Sequence, residues 1–247
     1  MLSDWPWALL LILISPAVGS FLGLVVDRLI RQVPVLWQVS HCSTCDARLI
    51  WRDLVPILSA LHLRGRCRVC GAEFPGFLLR IEIAALLAAL LAVATVPGAV
   101  ELWLTAAMLW CLIALFYCDL VAFRLPDVLT LALFLFALAY ASLTRSILDG
   151  LMGAAIGMAA FWLIRLGYQY LRGREGLGLG DVKLMAGIGA AVGALEIPVV
   201  TLIAAVLAIG VTVFQASSRK ALPESGEKLP FGSYLCGAAA VVILAWT

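Results

Sequence analysis

Eight apolar runs separated by short polar stretches constrain this 247-residue chain more than any other feature. They fall at residues 5–26, 81–97, 102–118, 128–143, 148–167, 182–195, 198–215 and 231–246. A helix that crosses the hydrocarbon of a bilayer needs about 20 mostly apolar residues. It is also one of only two structures that satisfy every backbone polar group there. The expected fold is therefore an all-α polytopic membrane protein with about eight transmembrane helices. Composition agrees: 64% of residues are hydrophobic and 13% charged, against roughly 45–50% and about 25% in soluble domains. A soluble globular protein is excluded, and so is a disordered one, whose signature is the reverse. The net charge of +2 is too small to suggest a nucleic-acid partner, so the lipid bilayer is the first partner implied.

Orientation follows from the basic residues. No Lys or Arg precedes the first run, whereas Arg28 and Arg31 follow it. That is unlike a secretory signal, which starts with positive charge, and it places the N-terminus outside. The inner side then receives residues 27–80, 119–127, 165–183 and 216–230. Sixteen of the seventeen Lys and Arg fall there, among them Arg174, Lys220 and Lys228, leaving only Arg145 outside. So one-sided a split fits the positive-inside rule, and Trp5, Trp7, Trp103 and Trp246 fall near outer ends, as interfacial Trp should. Three parts result: a first transmembrane helix at 1–26, a cytoplasmic segment at 27–80, and a seven-helix membrane domain at 81–247. No internal repeat is evident.

Four of the seven cysteines lie in the polar segment as Cys42-x2-Cys45-x21-Cys67-x2-Cys70. Two Cys two residues apart reach one tetrahedral ion, and a second pair closes a four-thiolate zinc site with no open position. Reduced structural cysteines or two disulfides are the alternative, and a cytoplasmic location argues against the disulfides. A closed site has no place for substrate water, so the metal folds a segment too short to bury its own core. Residues 46–66 suit a short hairpin or helix of zinc-ribbon type. His41 and His62 read as polar bystanders, and Cys111, Cys118 and Cys236 as packing groups.

Acids within or beside a span are costly and functional by default. Asp27, Glu82, Asp119, Asp127 and Asp181 qualify. Asp119 closes the third span, where a negative charge meets the negative end of its own helix dipole. Asp127 follows Pro126 and opens the next helix, an ordinary start signal, and reads as structural. Asp181 ends Gly176-Leu177-Gly178-Leu179-Gly180-Asp181. As a helix N-cap it would contribute about 1 kcal/mol. A phosphate cradle is a weaker alternative, because neither the Walker ending nor a preceding strand is present. The third span ends and the sixth begins on the same side, so Asp119 and Asp181 are expected to meet. Two close carboxyls share a proton, one serving as base toward water and the other as acid toward a leaving amine.

In these residues the chain resembles the bacterial type IV prepilin peptidases, membrane-embedded aspartic proteases of the Gly-x-Gly-Asp class. The likeness runs from Gly19 almost to the C-terminus. It is carried by Gly19-Ser20-Phe21-Leu22 with Arg28-Leu29, the two Cys-x-x-Cys pairs with Pro56-Ile57-Leu58-Ser59 and Leu63-Arg64-Gly65-Arg66-Cys67 between them, and Glu82. Further on come Asp119, Leu125-Pro126-Asp127, Gly178-Leu179-Gly180-Asp181-Val182-Lys183, and Pro230-Phe231-Gly232. The resemblance implies that Asp119 and Asp181 are the catalytic pair, supported by Gly178, Gly180, Lys183 and Asp127. It implies that the substrate is the N-terminal leader of a prepilin or pseudopilin, cut on the cytoplasmic side of the bacterial inner membrane. It also implies, as in many members, N-methylation of the new N-terminus from S-adenosylmethionine. Departures from the pattern are Gly23 for Asn, Ser43 for Pro, the segment Phe74 to Arg80 for an Arg-Tyr-Pro run, and Ser233 for Pro. None touches the two aspartates.

Two other readings compete. A cation-coupled transporter would use Asp119, Asp181 and Glu82 to bind a cation behind a zinc-bound gate, but such folds usually carry inverted repeats. Another Gly-x-Gly-Asp intramembrane protease would share the dyad without needing the cysteine-bearing insertion.

Overall fold

Each apolar run folds as a helix, and most helices outrun their runs. The computed structural model describes residues 5–33, 41–42, 44–173, 176–219 and 229–246. Ser43, Arg174, Lys220 and Lys228 lie outside the described residues. The helices are α1 (Trp5–Arg31), the short α2 (Leu58–His62), α3 (Phe77–Thr95), α4 (Ala99–Ala122), α5 (Asp127–Thr144), α6 (Ile147–Arg172), α7 (Leu179–Val192), α8 (Ile197–Arg219) and α9 (Phe231–Trp246). Among the described residues there is no strand, only two isolated β-bridges. Six stretches are long and apolar enough to cross a bilayer: α1, α3, α4, α5, α6 and Ala194–Gln215. The other two expected spans fold as shorter helices, 14 residues in α7 and 16 in α9. The apolar pattern continues to residue 195, but Gly193 at φ +91° takes the chain out of helix first.

The chain divides into two compact units, Met1–Ala114 and Leu115–Thr247. In the first, α1 packs along α3. A methyl group on Gly19 would lie 2.7 Å from Glu82 Cα and 2.9 Å from Ala85 Cβ, so only glycine permits this approach. Trp110 Nε1 donates to Ala85 O at 3.1 Å and ties α4 to α3 within the same unit.

In the second unit the small helix α7 is enclosed by α5, α6 and α9. Its seam with α6 is backbone against backbone: a methyl on Gly157 would lie 2.7 Å from Met185 O, and Gly153 and Gly189 face each other directly. Such small-residue seams are how helices associate where lipid removes the hydrophobic drive. Arg145, the lone basic residue assigned outside by sequence, donates to Val192 O at 2.7 Å, Ala191 O at 2.6 Å and Ala190 O at 3.1 Å. One guanidinium thus satisfies three carbonyls left unpaired at the end of α7. Large apolar side chains such as Leu163, Leu202 and Val213 are exposed, a surface that calls for lipid rather than water.

Candidate active site and metal centre

The cysteines converge as their spacing predicts. The four sulfurs of Cys42, Cys45, Cys67 and Cys70 lie within 4.8 Å of one another. Cys42 and Cys70 are 3.8 Å apart and Cys45 and Cys67 3.9 Å. Four thiolates about 2.3 Å from one zinc ion stand about 3.8 Å apart in a regular tetrahedron, so this donor set fits zinc. The two pairs sit in near-identical turns. Cys42 N–H donates to Ala47 O and Asp46 N–H to Cys42 O; Cys67 N–H donates to Ala72 O and Gly71 N–H to Cys67 O. In each, the fourth residue after the first Cys takes positive φ, Asp46 at +58° and Gly71 at +73°.

Backbone N–H groups of Thr44 and Cys45 aimed at the Cys42 sulfur lower its thiol to about 6. For Cys45 the Ala47 N–H pulls down, but Cys70, burial and the other two sulfurs together push it up to about 12. Shared protons of this kind are what a closed cation site displaces. Between the turns run a 3₁₀ turn at Trp51–Leu54 and α2, the helical form of the expected insertion. His41 stays outside the sulfur cluster, its Nε2 3.6 Å from Asp46 Oδ1.

Glu82 has a specific partner in the same unit. Its Oε2 accepts the backbone N–H of Ile57 at 2.7 Å, and Ile57 holds φ +60°, an outlier for a β-branched residue. The carboxylate therefore anchors Pro56-Ile57-Leu58 on α3. Asp27 instead pairs with Arg31 one turn on, at 3.0 Å.

The second unit holds the other acids. Asp119 lies in the last turn of α4 and is only 7% exposed. Its Oδ2 accepts the N–H of Ser233 at 2.7 Å and the Ser233 hydroxyl at 3.1 Å, and the Gly232 N–H is directed at the same carboxyl. Both donors belong to the first turn of α9, so Asp119 faces the positive end of that helix. The unfavourable placement on its own helix is thereby offset.

Asp181 is 9% exposed and is not the N-cap. The helix begins two residues before it at Leu179, Gly178 is the cap, and Asp181 Oδ2 reaches back to accept the Gly178 N–H at 3.2 Å. A methyl on Gly232 would lie 3.0 Å from Asp181 Oδ1 and 3.1 Å from Asp119 Cγ. The two carboxyls are thus no more than about 6 Å apart, close enough to influence each other's ionisation.

Neighbours set this geometry. Leu125 packs on both glycines of the site: methyls on Gly180 and Gly232 would lie 3.0 Å from its Cβ and 2.9 Å from its Cδ1. Asp127 opens α5, as expected, and its Oδ1 accepts from Lys183 Nζ at 2.7 Å, tying α5 to α7 beside Asp181. Arg165, buried on α6, donates to Leu177 O at 2.7 Å and fixes the entry to Gly178.

Comparison with known proteins is consistent with this constellation. Residues 13–96 match the bacterial peptidase A24 N-terminal domain and residues 106–213 the type IV leader peptidase family. A prepilin leader peptidase/N-methyltransferase of Aeromonas hydrophila is 32% identical over 97% of this chain and 91% of its own length. The chain belongs to the type IV leader peptidase family. Relatives of the same name occur in Burkholderia pseudomallei (strain 1026b), 33% identical over 94% of this chain and 83% of that one, and in Pectobacterium carotovorum subsp. carotovorum, 33% identical over 81% and 71%. No solved structure matches. Of the residues that shape the site in this family member, Leu125 and Gly232 were visible only as parts of motifs. Ser233 was visible only as a departure expected to leave the aspartates untouched; instead its N–H and its hydroxyl both bond Asp119 Oδ2. Arg165 stood out only as one more inner-side charge.

Proposed function

We propose that this protein is a membrane aspartic endopeptidase that removes the leader of type IV prepilins or pseudopilins, with Asp119 and Asp181 as the catalytic pair. The observation that carries the reading is the approach of these two buried carboxyls around Gly232. One carboxyl takes a proton from water as it attacks the scissile carbonyl; the other gives its proton to the leaving amine. Gly178 pins one oxygen of Asp181, Gly180 lets Leu125 close over the site, and the Asp127–Lys183 pair holds the first turn of α7.

The three-part organisation gives each region a task. The first helix and the seven-helix domain sit in the bacterial inner membrane with the N-terminus outside and the aspartates at the cytoplasmic face. The segment between them is folded by zinc on Cys42, Cys45, Cys67 and Cys70. The substrate's apolar helix lies in the bilayer while its leader meets the aspartates. We extend to this chain the second activity in the relatives' name: the new N-terminal amine is methylated, and S-adenosylmethionine supplies the methyl group. Mass spectrometry of a co-expressed prepilin tests both activities. The expected product lacks the leader and is heavier by one CH2, about 14 Da per methyl replacing hydrogen; an uncut prepilin would refute the reading.

A further inference from the structure

Ser233 is buried, 1% exposed, and its hydroxyl lies within hydrogen-bond distance of two acceptors, Phe116 O at 3.0 Å and Asp119 Oδ2 at 3.1 Å. A hydroxyl has one hydrogen to donate and lone pairs with which to accept, so it donates to only one of them at a time. The two differ in chemistry. A peptide carbonyl only accepts, whereas a carboxyl oxygen accepts when ionised and donates when protonated.

Two arrangements therefore satisfy every atom. With Asp119 ionised, the Ser233 hydroxyl donates to Oδ2. With a proton on Oδ2, that O–H donates to Ser233 Oγ and the serine hydrogen turns to Phe116 O. The Ser233 backbone N–H, 2.7 Å from Oδ2, remains in place throughout. Neither state leaves a buried polar group unpaired, the usual cost of cycling a carboxyl through protonation away from water.

We propose that Ser233 is a positioning residue for Asp119, its hydroxyl turning between Asp119 and Phe116 as the carboxyl gains and loses its proton. This rests on the reading of Asp119 as a catalytic carboxyl. Asp119 takes a proton from the attacking water and then passes it to Asp181, which has given its own to the leaving amine; Ser233 only re-pairs.

The test is steady-state cleavage of a prepilin by the full-length protein in detergent, with rates expressed per folded molecule. Ser233→Ala removes the hydroxyl and keeps the N–H; kcat falls about tenfold while KM stays within about twofold, the pattern of a group that matters only during the chemical step. Ser233→Thr restores the hydroxyl and brings kcat back to within about threefold of the native value. Native turnover in Ser233→Ala, or a Ser233→Thr enzyme as slow as Ser233→Ala, would overturn the proposal. Asp119→Asn separates the premises: an active variant removes the catalytic reading of Asp119, whereas an inactive one beside a fully active Ser233→Ala removes the role of Ser233 alone.

Discussion

Asp119 and Asp181 face each other across Gly232, whose missing side chain is the space they share: a methyl there would lie 3.1 Å from one carboxyl carbon and 3.0 Å from the other's Oδ1. Each aspartate is also held by the start of a helix, Asp119 by the first turn of α9 and Asp181 by the Gly178 N–H that opens α7. The site is thus a meeting of two helix N-termini, where unpaired N–H groups favour acceptor oxygens.

Gly232→Ala follows directly. The added methyl must push on Asp119, Asp181 or Leu125, and a displacement of the order of 1 Å at reacting groups costs about a hundredfold in rate. Overpacking one methyl lowers stability by about 1–3 kcal/mol. The expected result is a folded protein with a modestly lower unfolding temperature and prepilin cleavage slowed about a hundredfold, read by thermal unfolding and a cleavage time course on one preparation.

Much of this site was legible in the sequence, for identifiable reasons. Asp119 and Asp181 stood out because carboxylates beside apolar runs are scarce and costly, and the cysteine quartet because its spacing matches one ion's geometry. Ser233 did not stand out. It is small and uncharged, and it meets Asp119 from 114 residues away, so no local pattern carries the contact. Asp181 was visible as a helix-start residue, but the start lies at Leu179 because Gly178 supplies the cap. Gly153, Gly157 and Gly189 lie inside apolar runs and belong to no motif. Their role is a seam, which requires knowing that α6 faces α7.

The cysteine cluster predicts metal-dependent folding of its segment. Cys45→Ser should reduce bound zinc, measured by elemental analysis of the purified protein, and lower the unfolding temperature more than it changes turnover of the folded fraction; unchanged zinc would refute four-Cys ligation. The pH dependence has a definite sign. The Cys42 thiol is held down at about 6, below its unfolded value, so its thiolate contribution is present at high pH and is lost as pH falls through about 6. Ligation requires thiolates, so zinc content should fall as pH is lowered.

The paired turns offer an internal comparison. Asp46 and Gly71 occupy the same place with φ +58° and +73°, a conformation that costs a residue with a Cβ about 1 kcal/mol. Asp46→Gly should raise the stability of the zinc-loaded segment by up to about 1 kcal/mol, and Gly71→Ala should lower it by a similar amount. Space around Gly71 is open, so the second effect is one of backbone alone. Thermal unfolding of the two variants in parallel checks the opposite signs.

The central claim is that the two buried carboxyls perform the cleavage together. Asp119→Asn and Asp181→Asn, made singly, keep the size and hydrogen-bonding reach of the side chain while removing the ability to take up or give up the proton. Each is co-expressed with a prepilin, and the pilin is weighed by mass spectrometry alongside a check that the variant is present in membranes with its zinc. Intact leader in both variants is the predicted result. A trimmed pilin from either one would contradict the account.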